Sequence, residues 1–238
     1  MLGKHHTSIS IGTILIPCAP FVMDVPLVVI AILAGVLVGS LLPDTDASDS
    51  AIWYSGVTKI FGLAMVALMI PMVQLVFRAR NFSYDAEHRG SLHTVCAVGI
   101  STIIFTVVGV IIVSLCSGYV FQSWLNIEGY FFLLLFMSGV FCGGVLHLAE
   151  DCCTKAGIFP FYPFSSRRIH GGIRTGDAAD RRPECMQVAL MVLTVGMPFG
   201  KVHYRPPLIL PSVISLVALV IAWRVFFIIA QKELPHFR

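Results

Sequence analysis

Charge is scarce in this sequence. Asp, Glu, Lys and Arg make up 12% of its 238 residues, where soluble domains carry about 25%. With 57% hydrophobic residues and a mean hydropathy of +0.86, water is excluded as its main solvent. The formal charge of +3 is small, and Lys and Arg fall in loops between apolar runs rather than among aromatics on one surface. Nucleic acid therefore finds no support as a partner. The seven cysteines (18, 96, 116, 142, 152, 153 and 185) contain no C-x-x-C pair and no secreted-type framework, and they read as small buried hydrophobes. No small-x-small cleavage site follows the apolar run 9–22, so that run reads as a helix and not as a signal peptide. Internal repeats and low-complexity segments are also missing.

What is present is a series of apolar stretches of about 17–25 residues, the length needed to cross a hydrocarbon core. The expected fold class is therefore all-α: a polytopic membrane helical bundle forming one domain over residues 1–238, with a polar loop at 152–184. Membrane helices are expected at 7–22, 25–42, 91–116, 127–150, 185–200 and 208–230, about six in all. The first two form a hairpin turned at Asp24. The segment 51–77 is apolar enough to span, but Pro71 removes a backbone donor inside it. It is expected to be re-entrant or interfacial, because only then do Asp44 and Asp46 share a face with His88, His93 and His147. That face carries Arg78, Arg80, Arg89, Lys155, Arg167, Arg168, Arg174, Arg181 and Arg182, whereas the turns at Asp24 and 117–126 carry no Lys or Arg. By the positive-inside bias the shared face and the C-terminus, with Lys232 and Arg238, are cytoplasmic; Lys201 and Arg205 fall on the other side.

Four groups of residues carry chemistry. His147-Leu148-Ala149-Glu150-Asp151 ends a long apolar helix and stacks an imidazole and a carboxylate one turn apart on one face. In His88-Arg89-Gly90-Ser91-Leu92-His93, Ser91 is expected to cap the next helix and place His93 in its first turn, where backbone N–H groups and Arg89 would also suit a phosphate. Leu42-Pro43-Asp44-Thr45-Asp46 brings two carboxylates out of an apolar run, and His5-His6 precedes the first helix on the same side. Each group alone has a plainer reading: a helix-end His with a carboxylate partner, a capping turn, a solvated Asp-x-Asp turn, an exposed His pair. Together they offer imidazoles and carboxylates in a mix that suits Zn²⁺ or Mn²⁺ better than Ca²⁺. Ionisable residues at membrane helix ends are costly unless paired, solvated or bound to metal.

These residues resemble the YdjM-like membrane-bound metal-dependent hydrolases, in the order N-terminal His6, Leu42-Pro43-Asp44-Thr45-Asp46, His88-Arg89-Gly90-Ser91-Leu92-His93-Thr94 and His147 to Asp151 running into Thr154-Lys155-Ala156-Gly157 and Tyr162-Pro163-Phe164. Arg174-Thr175-Gly176 also fits. The resemblance covers about residues 5–180. Leu92 and Thr94 stand where the family usually has Thr and Ser, Glu150 occupies a usually apolar position, and 47–87 is a long insert. The family is distantly similar to zinc-dependent phospholipase C, which implies phosphoester hydrolysis by analogy.

The resemblance and the residues together point to a membrane-bound metal-dependent hydrolase. His6, Asp44, Asp46, His88, His93, His147 and Asp151 would hold one or more divalent ions, Zn²⁺ first and Mn²⁺ second. Arg89 and Arg174 would neutralise a phosphate, although topology charge is the plainer reading of both, and Glu150 would act as a base or orient His147. The substrate would be a membrane lipid or another amphiphile, with Phe159, Phe161, Tyr162 and Phe164 as an interfacial belt. The alternatives are a metal-ion transporter and a non-catalytic metal-binding membrane protein.

Overall fold

The computed structural model describes residues 3–47, 50–54, 56–119, 127–177, 179–204 and 209–232. Its α-helices are α1 (Gly3–Cys18), α2 (Pro26–Gly39), α3 (Gly56–Ala64), α4 (Ile70–Ala79), α5 (Val95–Tyr119), α6 (Ile127–Asp151), α7 (Arg182–Tyr204) and α8 (Ile209–Ala230). Among the described residues, β structure is limited to two isolated bridges, Thr154 with Ile173 and Ile158 with Ile169. Five helical stretches among the described residues are long and apolar enough to cross a membrane: Pro26–Asp46, Gly56–Ala79, Val95–Leu115, Glu128–Asp151 and Leu210–Ala230. The expected spans 7–22 and 185–200 are not among them, and the segment 51–77, expected to be re-entrant or interfacial, is represented by Gly56–Ala79. The 117–126 turn partly, and Arg205 and Arg238 wholly, lie outside the described residues.

Two local expectations change. α1 starts at Gly3, so His5 and His6 sit inside its first turn and not before it. The cap of α5 is Thr94, whose Oγ1 accepts the Ala97 N–H at 3.0 Å, leaving His93 just ahead of the helix. Ser91 Oγ instead accepts the Asp85 N–H at 2.8 Å and closes the preceding turn. Of the six described cysteines, all free, Cys153 is buried and Cys185 is exposed, so the buried-hydrophobe reading fits the first and fails for the second.

The segment after Asp46 leaves one end of the bundle and comes back to it. α3 and α4 join through a π-helical turn, Met65–Met69, placed just before Pro71. The wider turn accommodates a residue that has no N–H to donate. Met65 and Met69 are buried with Leu42 and Leu92 in one cluster, and Val73 and Phe77 pack against Ala97 at the beginning of α5 and against Tyr162 of the loop that follows α6. Val57, Ile60, Leu63 and Leu75 point outward. Both ends of the segment therefore meet at one end of the bundle, the arrangement that a shared site requires.

The strongest constraint is between α2 and α6. Gly35 and Gly39 on α2 face Gly139 and Gly143 on α6, two G-x-x-x-G pairs. A Cβ built on Gly35 would lie 1.9 Å from the Phe136 carbonyl oxygen, and one on Gly39 would lie 2.0 Å from that of Val140. On Gly139 it would meet the Ile32 carbonyl oxygen at 2.2 Å and on Gly143 that of Val36 at 2.4 Å. The two backbones thus touch, as small residues allow in apolar surroundings where packing drives association.

The 152–181 loop is tied to the bundle. Lys155 donates its N–H to Ile173, and Ile158 and Ile169 exchange backbone hydrogen bonds. Gly157 has φ of +61°, and a Cβ there would also strike the Ile169 carbonyl oxygen. Arg182, read from the sequence as a topology charge, is buried. Its guanidinium donates to the carbonyls of Gly172, Ile229 and Lys232 and, at 2.7 Å through Nε, to Asp180. A cation on the last carbonyls of α8 also complements the helix dipole. Burial pushes the Asp180 carboxyl up, but hydrogen bonds from the Arg182 side chain and from the Arg174 and Arg182 N–H groups bring it below the usual carboxylate range.

Two outcomes follow for thermal scans of detergent-solubilised protein. Gly39→Ala, which forces a Cβ into backbone, is expected to cost about 3 kcal/mol or more and lower Tm by more than about 6 °C, whereas Gly99→Ala, with open space around it, leaves Tm unchanged or raised. Arg182→Met, which strands Asp180 and three carbonyls, should lower Tm well below that of the exposed-site control Arg181→Met. Because the Asp180 carboxyl is held low, its contribution is present at neutral pH and is lost as pH falls through that lowered value.

Candidate metal centre

The close approach of α2 and α6 delivers the Asp44 and Asp46 turn to the end of α6, where His147 and Asp151 lie one turn apart. α1 brings His6 from a third side. The 85–94 turn, in which Arg89 has φ of +68°, brings His88 and His93 from a fourth. All seven sequence-predicted ligands come together.

They do not come together equally. Four atoms form an inner set: His93 Nε2 lies 3.2 Å from Asp44 Oδ1 and 3.7 Å from Asp151 Oδ2, and His147 Nε2 lies 3.4 Å from Asp44 Oδ1 and 3.5 Å from Asp151 Oδ2. Two donors each about 2.0–2.2 Å from a common tetrahedral ion are about 3.3–3.6 Å apart, so each of these His–Asp pairs stands close to the separation that a shared small cation would require. His6 Nε2 flanks the set at 3.7 Å from Asp151 Oδ1. On the other side the His88 imidazole and Asp46 Oδ1 are hydrogen-bonded at 2.9 Å, and Asp46 Oδ2 is 3.8 Å from His93 Nδ1. His6, His147 and Asp151, and separately Asp44, His88 and His93, are each close enough to share an ion. His6, His93, His147 and Asp151 are buried, and His88 reaches solvent at the rim.

Neighbouring groups set how these ligands face. His147 Nδ1 donates to the Ser40 carbonyl at 2.7 Å, which leaves the Nε2 lone pair of the neutral ring directed into the inner set. That Nε2 has no well-aligned hydrogen-bond partner although it is buried, as suits an atom reserved for a cation. The His6 ring stacks on His147 with centroids 4.0 Å apart. Its Nδ1 is 2.9 Å from Glu150 Oε2, a charge contact out of line for a hydrogen bond, and Glu150 Oε1 accepts from Ser10 Oγ at 3.0 Å. The sequence reading had Glu150 orienting His147 or acting as a base; the structure puts it on His6, fully buried. The hydrogen bond to Asp46 outweighs burial and holds the His88 imidazole above its ordinary pKa.

Arg89 is engaged within the site. Nη2 donates to Asp151 Oδ1 at 3.1 Å and Nη1 to Thr154 Oγ1 at 3.0 Å, and Thr154 Oγ1 donates to the Asp151 carbonyl. Arg174 donates its N–H to Asp180 and faces Asp177 at 3.8 Å in the 152–181 loop. His5 turns to Glu184 at 3.2 Å, away from His6. Sequence reasoning missed the Ser40 carbonyl, which has no sequence signal, and Ser10. It also missed the paired glycines, which the G-x-x-x-G spacing in two apolar helices would have exposed.

Glu150→Gln is expected to weaken metal binding about 10–100-fold, the usual effect of losing a group that orients a ligating His. Ser10→Ala should cost less. Competition against a chelator would measure both.

The family model described as YdjM inner membrane protein matches residues 1–229 of the chain. No curated protein and no solved structure matches it.

Proposed function

We propose that this chain, which belongs to the YdjM inner membrane protein family, is a membrane-bound metal-dependent hydrolase acting on a phosphoester of a lipid or another amphiphile. The observation that carries this reading is the inner set of His93, His147, Asp44 and Asp151, with each imidazole Nε2 3.2–3.7 Å from one oxygen of each carboxylate and His147 turned by the Ser40 carbonyl. Two imidazoles and two carboxylates suit Zn²⁺, with Mn²⁺ as the second choice. A divalent cation held there would supply Lewis acidity, acidifying a water molecule and offsetting negative charge that develops on the scissile group.

The chain's own residues would do the rest. The two carboxylates and the oriented imidazoles hold the site together. Glu150 keeps His6 turned toward Asp151. Arg89, fixed beside the cluster by Asp151 and Thr154, would meet a phosphate oxygen, and Arg174 is the second candidate for that role. The cluster sits at one end of an apolar bundle with Phe159, Phe161 and Phe164 exposed in the adjoining loop, which favours an amphiphile whose head group reaches the site. By the positive-inside bias this end is cytoplasmic. Gathering of the ligands at one end, and not along a path through the helices, favours hydrolysis over transport.

The test is elemental analysis of protein extracted in detergent without chelator, followed by an assay of phospholipid hydrolysis. Near-stoichiometric metal is expected in the wild type and not in His147→Ala or Asp151→Ala, with hydrolysis lost on chelation and restored by Zn²⁺ or Mn²⁺. Folded protein without metal would overturn the site, and bound metal without hydrolysis of any phosphoester offered would leave a structural ion.

A further inference from the structure

α8 carries one charged residue, Arg224, in its 21-residue apolar stretch Leu210–Ala230. It lies six residues before Ala230, about 9 Å along the helix from the end that holds the metal cluster. At that depth a guanidinium needs an anion or a route to water. Among the described residues, none forms a hydrogen bond or ion pair with it.

Arg224 lines a cavity of about 520 Å³ between α6 and α8, with α1 as its floor. The volume falls within the range of small-molecule sites. Apart from Thr13 and Arg224 the lining is hydrophobic, including Phe141, Leu146, Leu219 and Phe227, and the Thr13 hydroxyl accepts from Trp223 Nε1 at 3.1 Å, pinning the indole in the wall. The walls run from Ala149 and Phe227 near the metal-cluster end to Phe141 and Leu219, about 12 Å along each helix. The space is long, apolar and open to the side, with a cation on one wall near its shallow end.

From this pairing of an elongated apolar groove with one unpaired cation, we propose that the groove binds an anionic phospholipid, an acyl chain lying between α6 and α8 and the phosphate on Arg224. Charge decides the occupant. A neutral chain offers the guanidinium no acceptor and leaves it only the route to water, and a second protein helix would have to bring a carboxylate into the apolar layer. The site stands apart from the metal cluster, and the inference does not rest on the hydrolase reading.

The test uses full-length protein carrying Trp53→Phe and Trp124→Phe, so that Trp223 alone reports, in mixed micelles with brominated phosphatidylglycerol or brominated phosphatidylcholine. Native mass spectrometry counts the lipid retained. Phosphatidylglycerol should quench Trp223 at lower mole fraction and be retained over phosphatidylcholine by at least about fivefold, the factor that one Arg beside an anionic headgroup is worth. Arg224→Gln should erase the preference while quenching by either lipid persists at high mole fraction, Arg224→Lys should keep it, and Ala149→Phe should lessen quenching by both. A thermal scan identifies any variant that does not fold. Equal retention of the two lipids by the unsubstituted groove, an unchanged preference in folded Arg224→Gln, or a dimer whose Trp223 is shielded from both lipids would overturn the proposal.

Discussion

The approach of α2 to α6 is the interaction on which the other features depend. Backbone meets backbone at Gly35, Gly39, Gly139 and Gly143, with no room for a single Cβ. In lipid the hydrophobic effect gives no reason for two apolar helices to pair, so packing at this closeness has to supply it. The consequence appears one turn further on. Once the two backbones are in register, Ser40 stands where its carbonyl takes the proton of His147 Nδ1, and the Asp44 and Asp46 turn faces the last turn of α6. The chemical site is an extension of the glycine contact.

That contact also explains how so many ionisable groups can share an apolar bundle. Buried carboxylates and imidazoles are expensive alone. Here nearly every one has a partner whose position follows from the fold: Asp151 has Arg89, Asp46 has His88, and Glu150 has Ser10 and His6. His147 Nε2, which has no well-aligned hydrogen-bond partner, faces Asp44 Oδ1 at 3.4 Å and Asp151 Oδ2 at 3.5 Å. These are groups that could hold a cation, and a cation bound there would be coupled to folding. Arg182 solves a related problem by tying the end of α8 to the 152–181 loop. The loop that follows Asp151 is thereby anchored at both of its ends.

Much of this was legible in the residues. Apolar runs of membrane length placed the helices to within a few residues, because a hydrocarbon solvent imposes length and composition directly on the chain. The His and Asp motifs stood out because charge is so rare in the background. The expectation of a re-entrant or interfacial segment at 51–77 followed from requiring one shared site, and Pro71 marked where its helix would be irregular. Glycine spacing in α2 and α6 was equally open to inspection and passed unnoticed. The cap of α5 was misassigned to Ser91, since Ser91 and Thr94 offer the same hydroxyl and only the path of the 85–94 turn chooses between them.

What the sequence determined by itself is the solvent, the all-helical class and the order of the helices, and the set of side chains able to bind a cation, since each depends on residue type and on spacing along the chain. Only the tertiary structure decided how that set is sorted. His93, His147, Asp44 and Asp151 form the inner group, while His6, His88 and Asp46 flank it. Glu150 lies against His6 and not His147, and Arg182 latches the end of α8 to the 152–181 loop. Those distinctions depend on distances between residues up to about 150 positions apart in the chain, and such distances are set by helix packing, which no local pattern records.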